Sequence, residues 1–355
     1  MTIWEDIARA IKLDQPIRQR DLHGLDARHR VLAGATFSEV DLSNASFADC
    51  ALARAKFINC DLRGADFTNA DLDHATFVKC TMSQARLGAR NMRHGCWVDC
   101  DLSGSRWDHA RLQVSSIVNS SLRSASLNAA ALERCTLIDD DFDNASVSDA
   151  QLDQCVISPA DWRTVDLRGM RANGVVFSNA NFEGQVMSGL QLRRCSMQDA
   201  DLSQVDLAAA DIAESNFYRA RLRQANLSRA NASHALLLEA QLDDVNLSDA
   251  TLEGAIFQHA ALRDCRLDGA RLKASIWNKS QHRNVSFQGA DLTYARMEHI
   301  EGDGVDFSDA TLDHAQFHNA KLCDARFRGA SLRQVGKTDP ARLSAEARTL
   351  AMEKE

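Results

Sequence analysis

The chain has 355 residues, of which 45% are hydrophobic and 25% charged, with a formal net charge of −8 and a pI near 5.8. This acidic balance disfavours nonspecific binding to nucleic acid or anionic lipid. No run approaches the roughly 18 apolar residues of a membrane-spanning helix, and the N-terminus has no apolar segment typical of a secretory signal. Ten cysteines without such a signal indicate a reducing compartment, so we expect a cytoplasmic protein.

Residues 1–19 are predicted to form an N-terminal capping helix and a linker. Thr2 and Glu5 have the spacing of a capping box, in which each side chain bonds the other residue's backbone N–H. The apolar residues that follow recur at helical spacing and predict one buried face.

Residues 20–335 repeat with a period of five. Every fifth residue from Leu22 to Leu332 is large and apolar, and a small residue, most often Ala or Cys, stands two positions before it. The exceptions at the large position are Ala27, Ala172, Ala232, His282 and Gly302. A period of five fits neither helix nor strand, so the backbone must turn a corner in each repeat. One repeat cannot bury its apolar pair alone, so the repeats must stack.

Segments such as Ala65-Asp66-Phe67-Thr68-Asn69 and Ala225-Asn226-Leu227-Ser228-Arg229 match the pattern A(D/N)LXX. In this respect residues 20–335 resemble the pentapeptide-repeat family. The resemblance implies an all-β solenoid, a right-handed quadrilateral β-helix with four repeats per coil and about 16 coils.

Residues 336–355 are predicted to form a C-terminal capping helix. Asp339 is suited to the N-cap and Pro340 to the first helical position. Helices at both ends would cover the apolar interior and the unpaired backbone of the outermost coils.

The outward positions can be sorted into columns, because residues 20 apart stack in a solenoid with four repeats per coil. The face around Phe37, Phe57 and Phe77 carries apolar residues at outward positions. They are Ile58, Val78, Val98, Val118, Ile138, Val156, Val176, Tyr218 and Leu238. We interpret them as a protein interface, for self-association or for a partner. The alternative is simple strand propensity of β-branched side chains.

The face around Leu22, Leu42 and Leu62 carries a column of acidic residues. Its members are Asp21, Asp41, Asp61, Asp101, Asp141, Asp161 and Asp201. Arginines such as Arg63 and Arg163 follow two positions later, so much of this charge is expected to be paired locally.

Eight of the ten cysteines stand at the small inward position and are predicted to be buried core residues, whereas Cys96 and Cys323 do not. His74 and His94 lie one coil apart, close enough to share a metal, but a third ligand is missing, so we interpret them as solvated surface histidines. We predict no catalytic residue, no cofactor and no metal.

Several residues break the repeat. Arg90 and Asp140 stand at inward positions, where an unpaired charge is too costly, so the coil must bulge or pair them. His282, next to Gly302 in its column, predicts a local defect or, alternatively, a binding notch. Departures between residues 160 and 190 predict a bend.

A core filled with Leu and Phe leaves no substrate cavity, so we do not expect an enzyme. The leading hypothesis is a protein-interaction scaffold or adaptor, in a setting that resembles the family members accompanying bacterial secretion systems. The alternative is a DNA mimic that modulates DNA gyrase, as the quinolone-resistance members of the family do. That role requires a regular array of negative charge.

Overall fold

The fold was analysed in a computed structural model that describes residues 2–352. The chain divides into two compact units, Met1–Asn181 and Phe182–Glu355. The units are built as a parallel β-solenoid of about 15 turns in all, with a short helix at each end of the chain. The solenoid predicted from the repeat and the terminal helices predicted from their capping residues are confirmed.

Among its described residues the first unit contains one helix, α1 (Ile3–Lys12), and short parallel strands. The strands are β1 (Ile17–Arg18), β2 (Thr36–Ser38), β3 (Lys56–Ile58), β4 (Thr76–Val78), β5 (Met92–Arg93), β6 (Cys96–Val98), β7 (Arg111–Gln113), β8 (Ser116–Val118), β9 (Ala131–Glu133), β10 (Thr136–Ile138), β11 (Gln151–Asp153), β12 (Val156–Ile157) and β13 (Arg171–Asn173). One sheet has the order β1-β2-β3-β4-β6-β8-β10-β12, and a second contains β13-β11-β9-β7-β5.

The second unit contains six strands and the helix α2 (Pro340–Met352) among its described residues. The strands are β14 (Gln191–Arg193), β15 (Gln241–Asp243), β16 (Ala261–Arg263), β17 (Gln281–Arg283), β18 (Glu301–Asp303) and β19 (Lys321–Cys323). Strands β15 to β19 form one parallel sheet in chain order. Within the described part of the chain, neither helix is both long and apolar enough to cross a membrane.

The corner predicted for each repeat is a tight turn with one residue in the left-handed region. In the repeat that begins at Leu42, the N–H of Ala45 donates to the carbonyl of Leu42 at 3.0 Å. Asn44 between them has φ of 56°, which makes this a type II turn. Asn, Asp and Gly tolerate this conformation best, and this explains their frequency two positions after the core residue.

Stacking with a register of 20 residues builds the core. Phe37 pairs with Phe57 and Phe57 with Phe77 in the β-ladder. Their rings stack at centroid distances of 5.1 and 4.9 Å, and Phe67 meets the edge of Phe57 at 6.1 Å. All four rings are fully buried. These alternating stacked and edge contacts are favourable aromatic geometries and leave no substrate cavity among them.

Both terminal helices begin as the sequence predicts. The Thr2 side chain accepts from the Glu5 N–H while Glu5 accepts from the Thr2 N–H, which completes the capping box. At α2, the Asp339 carboxylate accepts from the Ala341 N–H at 2.9 Å. This helix packs against a side face of the second unit, where it contacts Glu298 and His318. It leaves Phe327 and Leu332 of the last coil 36% and 48% exposed, so the expectation that it covers the apolar interior there is wrong.

Candidate interaction surfaces

Five of the predicted interface residues form one column on the eight-stranded sheet of the first unit. We call Ile58, Val78, Val98, Val118 and Ile138 the aliphatic stripe. They lie at the ends of β3, β4, β6, β8 and β10 and are paired in register from each strand to the next. Each is half-buried, because its outward side chain is flanked by its column neighbours. With strands about 4.8 Å apart, the stripe is roughly 19 Å long.

The remaining predicted interface residues lie elsewhere on the two units. Val156 and Val176 in the first unit are bridged to one another and occupy the position before the core residue, so they stand beside the stripe's column and not in it. Tyr218 and Leu238 lie in the second unit and are half-buried. The Arg219 guanidinium stacks over the Tyr218 ring at 4.7 Å. The predicted set is therefore two patches, one on each unit.

The acidic column has a structural explanation that the sequence analysis missed. In each of its seven residues, Oδ1 accepts the backbone N–H two positions later, at 2.9 to 3.1 Å. This is an Asx turn, in which the side chain imitates a backbone turn. The sequence contained this signal, because Asp and Asn recur at the position before the core residue on three of the four faces and not in the acidic column alone.

Much of the charge in this column is also neutralised by neighbouring guanidinium groups. Arg63 contacts Asp61 at 2.5 Å and Arg163 contacts Asp161 at 2.7 Å. The hydrogen bond from Arg63 lowers the pKa of Asp61, and that from Arg163 lowers the pKa of Asp161. These pairs supply the local compensation expected from the sequence.

The cysteines at inward positions are buried, as predicted, whereas Cys96 is half-buried and Cys323 is exposed. Buried thiols such as Cys80 donate to backbone carbonyl groups, in this case to Phe57 at 3.3 Å. They therefore act as small core residues. His74 and His94 stack ring on ring at 4.4 Å. Among the described residues no third metal-binding side chain joins that pair.

The two charged residues at inward positions are accommodated in different ways. Arg90 is exposed because the chain bulges and Ala89 takes the inward place with 5% exposure. Asp140 stays buried with 7% exposure, and its Oδ1 accepts the Ser120 N–H at 2.8 Å. Its Oδ2 has no hydrogen-bond partner among the described residues. Burial raises the pKa of Asp140 to about 7. Both outcomes predicted from the cost of a buried charge thus occur.

His282 keeps its inward position and is only 3% exposed. Its Nε2 bonds the Ser280 hydroxyl at 2.7 Å, whereas Nδ1 has no hydrogen-bond partner in the part of the chain that the structure describes. The ring lies 5.5 Å from that of Trp277, on the core side of β17. A groove of about 380 Å³, lined in part by Arg283 and Gly302, lies at the same strands.

The stretch 160–190, where the sequence predicts a bend, contains the division between the two units at Asn181 and Phe182. The unusual inward residues Met170, Ala172 and Leu190 are buried there. The bend itself stays a prediction.

A cluster that the sequence analysis missed fixes α2 to its unit. His299 and His318 each place Nε2 at 3.3 Å from the same carboxylate oxygen of Glu346. The Arg342 guanidinium contacts Glu298 at 2.9 Å. Glu298 and His318, although at outward positions, are only 8% and 4% exposed because the helix lies over them. No sequence signal pairs residues so far apart in the chain.

Two imidazoles and a carboxylate within 4.8 Å of one another have the composition of a zinc site. The hydrogen bonds favour another role. His318 Nδ1 accepts the Asp339 N–H at 3.2 Å, so its proton resides on Nε2 and points at Glu346. A metal ligand needs that Nε2 lone pair and a proton on Nδ1. We therefore assign the cluster to anchoring α2.

Comparison with known proteins adds a family match. A family model described as "Pentapeptide repeat region" matches residues 51–127. A second, described as "Pentapeptide repeats (8 copies)", matches residues 21–57, 163–199, 186–224, 200–237, 225–264, 265–300 and 303–335. A search of curated proteins gives no match.

Among solved structures, the chain is similar to HetL, a pentapeptide repeat protein involved in heterocyst differentiation regulation from the cyanobacterium Nostoc sp. strain PCC 7120. The identity is 25% and the TM-score 0.39, over 64% of this chain and 89% of that one. It is also similar to QnrB1, a plasmid-mediated fluoroquinolone resistance protein, with 16% identity and a TM-score of 0.38 over 56% of this chain and 89% of that one.

Proposed function

Because the chain belongs to the pentapeptide-repeat family, we propose that it is a non-enzymatic scaffold that binds a protein partner through the aliphatic stripe. The observation that carries this proposal is a comparison of the two sheets of the first unit. Strands β7, β9 and β11 place Gln113, Glu133 and Asp153 at the outward position that corresponds to the stripe. The solenoid therefore accepts polar residues there, so strand formation alone does not account for five aliphatic side chains in succession.

A contiguous aliphatic surface on a flat sheet suits a protein partner better than a small molecule. The stripe has no concave wall to surround a ligand, whereas interface cores combine apolar side chains with a polar rim. The neighbouring column contains Lys56, Thr76 and Ser116, which would supply such a rim. An exposed apolar surface of this kind usually marks an interaction site.

The test is capture of partners from the protein's own cells by the wild-type chain and by Val98→Asp and Val118→Asp. We expect both variants to lose the partner while keeping the melting temperature, because the substituted side chains point away from the core. Ser121→Asp is the matched control, since it adds the same charge on another face at a position where neighbouring coils carry Asp. Retention of the same partners by Val98→Asp and Val118→Asp would refute the proposal.

The DNA-mimic alternative depends on uncompensated negative charge. The Asx turns and the arginine pairs at Asp61 and Asp161 weigh against it, because the carboxylates already have partners within the chain. A gyrase supercoiling assay separates the two functions, since only a mimic inhibits at stoichiometric concentration. The secretion-system setting and the cytoplasmic location stay predictions.

A further inference from the structure

The second unit carries an aliphatic patch of its own, on the face that also receives α2. Leu236, Ile256 and Ile276 stack in one column through parallel bridges. Leu238 and Tyr218 stand two positions along from that column. All five are half-buried. We call them the second-unit patch.

The coils that follow this patch show what kind of element the face can bind. There the aliphatic column gives way to Arg296, and α2 lies over Glu298 and His299. Two charged residues one helical turn apart make the contacts, Arg342 with Glu298 at 2.9 Å and Glu346 with His299 at 3.3 Å. An α-helix with aligned side chains at positions i and i+4 therefore fits this face.

The backbone that supports α2 recurs toward the patch, because each coil repeats the backbone of the one before it. One coil before His299 stands Lys279, and before that His259; both are exposed. Neither side chain has an ion-pair partner among the residues that the structure describes. At the column position of Arg296, the two preceding coils have Ile276 and Ile256, which with Leu236 form what we call the aliphatic floor of the patch. The patch thus offers an aliphatic floor beside a free positive charge.

We propose that the second-unit patch binds an amphipathic helix of a partner protein, placed next to α2. The helix presents aliphatic side chains to Leu236, Ile256 and Ile276 and a carboxylate to Lys279. From the first to the third of these floor residues the column spans roughly 10 Å, which two turns of helix cover at about 1.5 Å per residue. This assignment is supported by the fact that the patch continues the face to which α2 binds.

This inference rests on the proposed function and names its partner class, but it concerns a different unit of the chain. The probe is a fluorescein-labelled synthetic peptide with the sequence of residues 337–352 and the substitution Arg342→Leu. The substitution is needed because no carboxylate corresponds to Glu298 there, where Asn278 and Gln258 stand, and because the adjacent Ile276 and Ile256 favour an aliphatic side chain. Glu346 in the peptide is retained to face Lys279. Binding to the full-length chain is followed by fluorescence anisotropy, with a scrambled peptide as the reference.

We expect saturable binding that weakens at least tenfold on Ile256→Asp and about tenfold on Lys279→Glu. A second peptide that also carries Glu346→Lys should recover binding to the Lys279→Glu chain, which a merely structural effect of that substitution would not allow. Val98→Asp, on the first unit, should leave the affinity unchanged.

Equal affinity for the scrambled peptide, unchanged affinity on Ile256→Asp, or no recovery with the charge-reversed peptide would each overturn the inference. Sedimentation of the wild-type chain as a dimer that Ile256→Asp converts to a monomer would also overturn it, because the occupant would then be a second copy. If these tests fail while Val98→Asp still abolishes partner capture, only this inference falls. If partner capture is insensitive to Val98→Asp, the proposed function fails by itself.

Discussion

Replacement of His282 by leucine should stabilise the second unit. The Ser280 hydroxyl donates to the Trp277 carbonyl at 2.5 Å, so it can only accept from His282, which places the imidazole proton on Nε2. The Nδ1 lone pair is then buried without a hydrogen-bond donor from any residue that the structure describes. An unsatisfied buried acceptor costs about 1–3 kcal/mol, and leucine fits the role that Leu262 has in the preceding coil.

The effect should depend on pH with a definite sign. Burial lowers the pKa of His282 to about 3 from an ordinary value of 6.5. Below pH 6.5 the His282 imidazole therefore binds a proton in the unfolded chain but stays neutral in the folded chain, so the free energy of unfolding of the wild type decreases as the pH falls. The loss is about 1.4 kcal/mol for each pH unit. At pH 5 it reaches about 2 kcal/mol, a cost that His282→Leu does not have.

Thermal unfolding of the wild type and of His282→Leu at pH 7 and pH 5 measures both effects. A gain of 1 kcal/mol raises the melting temperature by about 2–4 °C for a unit of this size. His234→Gln, at an exposed position, is the control for removing a histidine. The reasoning is refuted if His282→Leu melts below the wild type at pH 7, or if the gap between them is no larger at pH 5.

Three further outcomes follow from the contacts of single residues. Asp140→Ser should raise the free energy of unfolding, because burial raises the pKa of the Asp140 carboxyl to about 7 and disfavours its charged form. The gain over the wild type should grow by about 1.4 kcal/mol per pH unit from pH 4 to pH 7, since the unfolded wild type releases the proton over this range. Urea unfolding at the two pH values measures it. Asp161→Asn should change the free energy of unfolding by less than about 0.5 kcal/mol, since it keeps the Asx turn and loses only the exposed ion pair with Arg163. Asp161→Ala removes the turn as well and should cost about 1 kcal/mol. Equal losses of the two variants in urea unfolding would contradict this. A thiol reagent should modify Cys323 rapidly and Cys96 more slowly in the folded chain, with the remaining thiols reacting only after denaturation.

The repeat made the fold predictable, because a period of five leaves the backbone few ways to bury one apolar pair in each repeat. The alternation of inward and outward residues then placed the aliphatic stripe in one column. The bulge at Arg90 was predictable in kind, since a buried guanidinium is too costly, but the choice of Ala89 as its replacement depends on local backbone geometry. The sequence likewise did not indicate whether Asp140 would bulge out or find a donor.

The position at which α2 packs on its unit could not be predicted from the sequence, for a different reason. Asp339 and Pro340 mark the start of a helix through local chemistry, which a linear pattern contains. The contacts that hold the helix join Glu346 to His299 and His318, and such pairs depend on where the chain returns in space. His318 in particular occupies an outward position, where the repeat predicts a solvated side chain and the structure buries it.

The two columns that the sequence singled out differ in what the fold requires of them. Each residue of the acidic column closes a turn of its own repeat, so it has a role in the fold whether or not anything binds. The aliphatic stripe closes no turn and fills no core, and the other sheet of the same unit forms with Gln113 and Glu133 at the matching position. Half-buried valine and isoleucine at that position leave apolar area in contact with water, which is unfavourable for an isolated chain. The same holds for Ile256 and Ile276, whereas Glu298 on that face is covered by α2. The fold does not require these exposed apolar surfaces, and this is the reason we propose that both bind other proteins.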